Sequence, residues 1–188
     1  IKDDPRYNKV LVYADYDNVL YTCSELTDIK NYQHLNKLLT KTNEIALLKT
    51  SEATILKSHK KSLNGLKIDL ILPIMHGKGV EDGNISGFLE ILNIPYISSK
   101  TLGASILQDK EYTKIFLKEK NINTLEYIVL KNKECHKNNN EYPLIIKPAS
   151  LGSSIGISKV NNDYEYETSI NQAFKYDNKI IIEKCLTN

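Results

Sequence analysis

The fold is decided by one stretch of sequence, residues 142–157, which reads YPLIIKPASLGSSIGI. Leu144–Ile146 is a short apolar run with the length and side-chain branching expected of a buried strand. Pro148 has no N–H for a strand ladder and restricts the residue before it, so the strand should end with Lys147 at its tip. The glycine–serine turn Gly152–Ser154 and a second apolar run follow. The stretch therefore predicts a hairpin whose tip is rich in N–H and hydroxyl donors.

Two interpretations of this hairpin tip are open from its residues alone. Backbone N–H groups in such a turn, with an ammonium group beside them, are suited to a polyphosphate. An ordinary Gly-Ser hairpin with a surface lysine accounts for the same residues. The tip is not a Walker A loop, because no Gly-Lys-Ser/Thr follows at the required spacing.

Composition narrows the class of protein. The 188 residues carry a formal charge of +2 with mixed signs, which argues against a nucleic-acid-binding surface. Arg6 is the only arginine, so bidentate guanidinium recognition is almost unavailable. Cys23, Cys135 and Cys185 have no metal-ligand spacing, which favours a reducing cytoplasm. No apolar run approaches the roughly 18 residues of a membrane span. We expect a cytoplasmic protein that binds neither nucleic acid nor membrane.

The first half of the chain predicts several short strands and one strand–helix–strand unit. Ile68–Met75 is predicted as a strand with a proline near its end. An apolar stripe at i, i+3, i+4 and i+7 follows from Ile85 to Leu92, and Ile94–Ile97 returns as a strand. This order indicates a right-handed parallel unit, with His76 beyond the carboxyl end of its first strand. A lone histidine there is more often structural than functional. Further strands are predicted at Lys9–Ala14, Val19–Tyr21 after a turn, Ile45–Leu48 and Thr54–Leu56.

The second half predicts two helices and further strands. A helix should open at Gln108-Asp109-Lys110 and run to about Lys120, with Lys110 and Lys114 on one face as a solvated basic edge. Asn161 or Asn162 should cap a second, amphipathic helix. Strands are expected at Leu125–Leu130, Leu144–Lys147, Ile155–Lys159 and Lys179–Lys184.

Four motifs follow one another in an order that points to a known family. They are Pro73–Gly77 with Glu81-Asp82-Gly83 and Gly87, then Gln108-Asp109-Lys110, then Ile146-Lys147-Pro148 with Gly152–Gly156, and finally Lys179–Lys184. Together they resemble the D-alanine–D-alanine ligases, which are ATP-grasp enzymes. The sequence departs from the family pattern at Asn84 and Ser86, where Thr and Gln are usual, and at Gln108, where Met is usual.

The resemblance implies an ATP site and an amino-acid site. Lys110 and Lys147 would neutralise phosphates, Glu183 would meet the adenine amino group, and the glycine-rich loop would close over the nucleotide. The implied ATP-binding residues are Lys110, Lys147, Gly152, Ser153, Ser154, Glu183, Lys184 and Leu186. The implied substrate-binding residues are His76, Gly77, Glu81 and Ser153, of which His76 and Ser153 are also the implied catalytic residues. The cofactors would be ATP and Mg²⁺; no metal ligand is assigned here, because the magnesium ligands are expected in a domain beyond Asn188.

The implied fold is α/β, in two domains. Residues 1–98 would form a preATP-grasp α/β domain with a mainly parallel sheet, lacking its first strand and helix. Residues 99–188 would form the α+β central subdomain of an ATP-grasp fold, with an antiparallel sheet and both helices packed on one face of it. The C-terminal catalytic domain would be absent.

The implied activity is ATP-dependent ligation of two D-amino acids through an acylphosphate, for peptidoglycan precursor synthesis. The substrates would be D-alanine, with D-serine or D-lactate as other second substrates, and the complete enzyme would be a homodimer. The 188 residues alone should not turn over. The alternatives are a non-catalytic nucleotide-binding module and an ATP-grasp ligase for another substrate.

Overall fold

A computed structural model describes residues 4–77, 79–131, 137–139 and 141–186. The chain divides into two compact units. One contains Ile1–Ile71 with Leu89–Tyr96, and the other contains Leu72–Phe88 with Ile97–Asn188. The domain boundary expected after residue 98 stays a prediction. Within the described ranges, no helix is both long and apolar enough to cross a membrane.

The first unit contains a five-stranded sheet in which every strand runs antiparallel to its neighbour. Two 3₁₀ segments and the short helix α1 lie between its second and third strands. In chain order and in sheet order the strands are β1 (Tyr13–Ala14), β2 (Leu20–Thr22), β3 (Asn43–Lys49), β4 (Thr54–Ser58) and β5 (Leu66–Lys67), and α1 is Leu35–Leu39.

The prediction of a mainly parallel sheet is wrong for this unit, and short connections are the reason for every pairing except β2–β3. Asp15 accepts hydrogen bonds from the backbone N–H groups of Asp17 and Val19 at 3.0 and 2.9 Å, which closes the β1–β2 turn. Strands joined by so few residues must run antiparallel. Among the residues of this unit that the structure describes, one parallel pairing is present, a bridge between Ile71 and Tyr96. The predicted strand–helix–strand unit, with α2 at Asn84–Ile91 between its ends, therefore has the expected direction but only a single bridge.

The second unit contains a four-stranded antiparallel sheet, as predicted, in the spatial order β6-β9-β7-β8. Strand β8 begins later than expected, because the residues before it form turns. The elements are α3 (Thr101–Gln108), α4 (Lys110–Glu119), β6 (Tyr127–Lys131), β7 (Leu144–Pro148), β8 (Ser158–Val160), α5 (Asp163–Ala173) and β9 (Lys179–Lys184).

Capping side chains begin both predicted helices. The Asp109 carboxylate accepts from the N–H groups of Glu111 and Tyr112 at 2.9 and 3.3 Å, so α4 opens with Lys110. Asn162, one of the two predicted caps, accepts from Glu165 N–H at 2.9 Å at the start of α5.

The two faces of this sheet differ in charge, because side chains alternate along each strand. One face packs against α5 and forms the hydrophobic core, with Leu130, Leu144, Ile146, Val160, Tyr166, Ile170, Ala173, Phe174, Ile180 and Ile182. The opposite face carries Lys147, Lys179 and Glu183, and it is contacted by α4. The prediction that both helices pack on one face is therefore wrong. Lys110 and Lys114, in the first half of α4, lie on the charged side.

Candidate functional site

Glu183 is the centre of the charged face. Only 5% of its side chain is exposed, and it lies between two lysines from different elements. Lys147, in β7, donates to its Oε2, and Lys114, in α4, places Nζ 2.7 Å from its Oε1. Lys114 also donates to Leu125 O at 3.1 Å and lies 5.3 Å from the centre of the Tyr127 ring. Every charge in this cluster is largely removed from water.

Electrostatics keep Glu183 ionised. Burial raises the pKa of its carboxyl, but the hydrogen bonds and charges of Lys114 and Lys147 lower that pKa by more, so the net shift is downward. A carboxylate in this state can only accept hydrogen bonds. Glu183 therefore presents a fixed acceptor on the charged face.

Lys110 takes part in the same region, but its ammonium group points at backbone oxygens. Its Nζ donates to Pro148 O at 3.1 Å, to Ala149 O at 3.3 Å and to Leu151 O. Burial and the charge of Lys147 lower the pKa of Lys110. The two lysines expected to contact phosphates therefore have different acceptors. Lys110 donates to three backbone carbonyls, whereas Lys147 donates to Glu183.

A second ion cluster fastens α4 to the sheet. Lys179, at the start of β9, pairs with Asp109 and lies 2.7 Å from Glu111 Oε2. Its ammonium group also lies 4.4 Å from the centre of the Tyr112 ring. Burial lowers the pKa of Lys179, but its hydrogen bonds to the carboxylates of Asp109 and Glu111 raise that pKa by more. Because Asp109 is also the cap of α4, this cluster fixes where the helix begins.

The amino end of the glycine-rich loop is anchored at Ser150. Its N–H and Oγ both donate to Asp177 Oδ2, at 2.8 and 2.6 Å. Its carbonyl accepts from Gln108 Nε2 at 2.9 Å. Gln108, which departs from the family's methionine, therefore has a direct contact with the base of the loop.

The carboxyl end of the loop is anchored at Gly156. This glycine has φ of +70°, and an added Cβ would lie 2.9 Å from both Pro148 Cγ and Tyr176 Cδ2. Between the anchors, Ser153 and Ser154 both have left-handed backbones, with φ of 53° and 59°. Non-glycine residues in this region are strained, and such strain concentrates at ligand-binding loops. The middle of the loop, Gly152–Ile155, is exposed.

Three of the four predicted amino-acid-binding residues form a local group, and the fourth, Ser153, lies in the glycine-rich loop. The His76 side chain is 88% exposed, and its Nδ1 lies 3.6 Å from Glu81 Oε1. The other oxygen of Glu81 accepts from Gly77 N–H at 2.7 Å. The structure brings these three residues together around one carboxylate.

The departures at residues 84 and 86 have structural contacts. Ser86 is buried, and its Oγ donates to Ser99 O at 2.8 Å. Asn84 donates through its side chain to Asp82 Oδ2 at 3.2 Å. Asn84 therefore supports the turn that opens α2, and Ser86 joins α2 to the segment before α3.

Two family descriptions match the chain. The D-ala D-ala ligase N-terminus matches residues 2–99, and the D-ala D-ala ligase C-terminus matches residues 116–188. The chain belongs to the D-alanine–D-alanine ligase family. The recognition made from four motifs is confirmed, and the two matches together cover most of the sequence.

Individual relatives agree with this family. A D-alanine–D-alanine ligase of Thermosipho africanus is 38% identical over 97% of this chain and 51% of its own length. The structure of the D-alanine–D-alanine ligase from Coxiella burnetii superposes with a TM-score of 0.80, at 22% identity, over 94% of this chain and 51% of that one. The ligase from Bacillus anthracis complexed with ATP gives a TM-score of 0.58 at 33% identity, over 64% of this chain and 42% of that one. The chain spans about half the length of the relatives it matches.

Some of the ATP-binding residues implied by the ligase resemblance lie close to one another, and others are exposed at the end of β9. Lys147 and Glu183 lie on the charged face. Lys110 contacts the carbonyl groups at the amino end of the glycine-rich loop, which we call the loop base. Lys184 is exposed at the end of β9, and Leu186 is 76% exposed beyond it. The role of each stays a prediction.

Sequence reasoning missed four side chains of this region. Lys114 was interpreted as part of a solvated edge, although only 13% of its side chain is exposed. Its position one turn after Lys110 was the available signal, because both must face the same way. Asp177 and Glu111 carried no motif, and Lys179 begins the fourth motif but was given no role. Only the fold brings these three side chains to the start of the glycine-rich loop and of α4.

Proposed function

We propose that this chain supplies the ATP-binding residues of an ATP-dependent D-alanine–D-alanine ligase that serves peptidoglycan precursor synthesis in the cytoplasm. The observation that carries the proposal is the charged face of the second unit. There, an ionised acceptor, Glu183, lies beside lysines from α4 and β7, next to an exposed loop with anchored ends.

The charges fit the two ends of ATP. The adenine amino group is a donor and matches the acceptor Glu183, while the triphosphate matches the ammonium groups of Lys110 and Lys147. Exposed N–H and hydroxyl groups of Gly152–Ser154 would cover the phosphates. The backbone near Lys184 and Leu186 would line the adenine ring. When bound, ATP supplies the phosphoryl group that activates a carboxylate.

The lysines must exchange partners for this to happen. Lys147 pairs with Glu183, and Lys110 binds three carbonyls of the loop base. Contact with phosphate would draw both ammonium groups from these internal acceptors. Nucleotide binding would therefore change the hydrogen bonds at the loop base directly.

The remaining roles follow the same proposal. His76, Gly77, Glu81 and Ser153 would bind the amino-acid substrate, D-alanine, with D-serine or D-lactate as other second substrates, in a homodimeric enzyme. Among the described residues no group of three His, Cys, Asp or Glu side chains is placed to hold a metal ion. Magnesium is therefore assigned no ligand in this part of the chain. The domain limits 1–98 and 99–188 belong to the proposal as well.

The test is titration of ATP into the protein, wild type against Lys147→Ala and Lys110→Ala. Each lost charge-assisted contact should weaken ATP binding roughly ten- to a hundred-fold. Lys159→Ala, which removes an exposed lysine from the same sheet, is the matched control and should bind ATP like wild type. If both loop-base variants bind ATP as tightly as wild type, the nucleotide site has been misplaced.

A further inference from the structure

Lys114 is a largely buried cation beside Glu183, and the proposed function gives it no task. Its ammonium group is held by three elements: Glu183 Oε1 in β9 at 2.7 Å, Leu125 O at 3.1 Å, and the Tyr127 ring in β6 at 5.3 Å. It is more buried than Lys147, the other partner of Glu183. These contacts leave the ammonium group little room to turn toward a ligand.

Lys147 and Lys114 differ in whether they can keep their contact with Glu183 when a nucleotide binds. Lys147 is expected to contact phosphate, and it must then leave Glu183. A buried carboxylate that loses its only cation becomes strongly unfavourable and either takes up a proton or turns toward solvent. Lys114 is not expected to leave Glu183 for phosphate, because its other contacts are a carbonyl oxygen and an aromatic ring of the same unit.

We propose that Lys114 is the positioning residue of the nucleotide site, holding Glu183 ionised and oriented toward the base while Lys147 is engaged by phosphate. The inference rests on the proposed ATP-binding function. It assigns Lys114 to base selectivity, although Lys114 touches no part of the nucleotide. An ionised Glu183 accepts from the amino group of adenine but repels the oxygen at the same position of hypoxanthine, whereas a protonated Glu183 can donate to that oxygen.

The test must separate the effect of Lys114 on Glu183 from the effects of the other groups that face this carboxylate. The groups that face it are Lys114 from α4, Lys147 from β7 and Tyr127, its register partner in β6, with Lys110 adding a more distant charge. Lys118→Met is the matched control, because it removes an exposed lysine one turn further along α4.

The first measurement needs no nucleotide: the carboxyl carbon of Glu183 is followed by NMR during an acid titration. In wild type and Lys118→Met it should titrate below the ordinary value of 4.5. In Lys114→Met it should titrate at clearly higher pH, because one of its two cations is gone while its burial remains. Lys114→Arg should restore the wild-type titration. An unchanged titration in Lys114→Met overturns the inference.

The second measurement compares binding of ATP with binding of inosine triphosphate. Lys114→Met should weaken ATP about tenfold and inosine triphosphate much less, which lowers the ratio of the two affinities. In a Glu183→Gln background the same substitution should leave the ratio unchanged, because the carboxylate it acts through is absent. A purely structural role for Lys114 predicts equal losses for both nucleotides, and that result overturns the inference.

Two further outcomes separate the inference from the proposed function. Wild-type protein that binds neither nucleotide overturns both, whereas wild-type binding with an unaltered ratio in Lys114→Met overturns only the role of Lys114. If Lys114→Met does not fold, as judged by circular dichroism, Lys114→Gln replaces it. Glutamine keeps a hydrogen-bond donor and removes the charge, so the same expected results apply.

Discussion

The two faces of the second-unit sheet are built from the same strands but by different rules. On the α5 face, Ile146, Ile180 and Ile182 are almost completely buried and contribute only apolar contacts. On the α4 face, alternate residues of the same strands include Lys147 and Glu183 beside the buried Ile181. Burial of apolar surface stabilises a fold, whereas a buried ion pair is on balance weak evidence for stability. The comparison indicates that apolar packing on the α5 face holds the unit together, and under the proposed function the charges of the α4 face serve nucleotide binding.

The largest expected effect comes from breaking the apolar face. Ile146→Ala should lower the free energy of unfolding by up to about 5 kcal/mol, because the methyl groups removed leave a cavity in a closed core. Urea denaturation measures the loss. Ile155→Ala, at a half-exposed position in the glycine-rich loop, is the control and should change stability by less than about 1 kcal/mol. Equal losses at the two sites would contradict the distinction between core and binding loop.

The next effect tests whether the charged face stabilises the fold. Glu183→Ala should lower the free energy of unfolding by about 3 kcal/mol, since it leaves two largely buried ammonium groups without their carboxylate. The triple variant Lys114→Met, Glu183→Leu and Lys147→Met should recover wild-type stability and lose ATP binding. Chemical denaturation with ATP titration measures both. A triple variant that is as unstable as the single one would show that the ion cluster does stabilise the unit.

A smaller effect distinguishes the two glycines of the loop. Gly156→Ala should destabilise the protein by about 1–2 kcal/mol, because the left-handed backbone disfavours a side chain and the new Cβ meets Pro148 and Tyr176. Gly152→Ala should be neutral or stabilise by up to about 1 kcal/mol, since nothing lies within 4 Å of its Cβ. Thermal denaturation compares them, and the reverse order would contradict the assignment of Gly156 as an anchor.

The last prediction concerns acid. The pKa of Glu183 is lowered in the folded protein, so its charge contributes stability that is complete above the ordinary value of 4.5. That contribution declines as the pH falls below 4.5 and is absent below the folded-state pKa. Glu183→Gln should therefore flatten the fall in unfolding free energy across this window, whereas Lys118→Met should not. Urea denaturation at several pH values measures the slope.

Much of the second unit could be predicted because its signals are local. Apolar β-branched runs bounded by Pro148 and the loop glycines mark strands, and Asn162 marks a helix start. Sheet direction in the first unit could not be predicted from motifs: the turn at Asp15 forces a hairpin, whereas family resemblance favoured parallel strands. The side of the sheet that each helix covers depends on which strand face is apolar.

Site residues divide in the same way. Lys110, Lys147 and Glu183 were found because they lie in recognisable motifs. Lys114 and Asp177 have no motif, and their importance arises from partners 69 and 27 residues away in the sequence. Contacts over such separations are set by the fold and leave no periodic pattern.

The anchors of the glycine-rich loop have a mechanical consequence. Ser150 is fixed by Asp177 and Gln108, and Gly156 is fixed by close packing. The segment between them can therefore rotate only about the line that joins these two pivots. Three residues on either side of the tip reach at most about 10 Å from the line joining the pivots. Any swing of the loop is confined to an arc of that radius, and neither β7 nor β8 has to change register for it to occur.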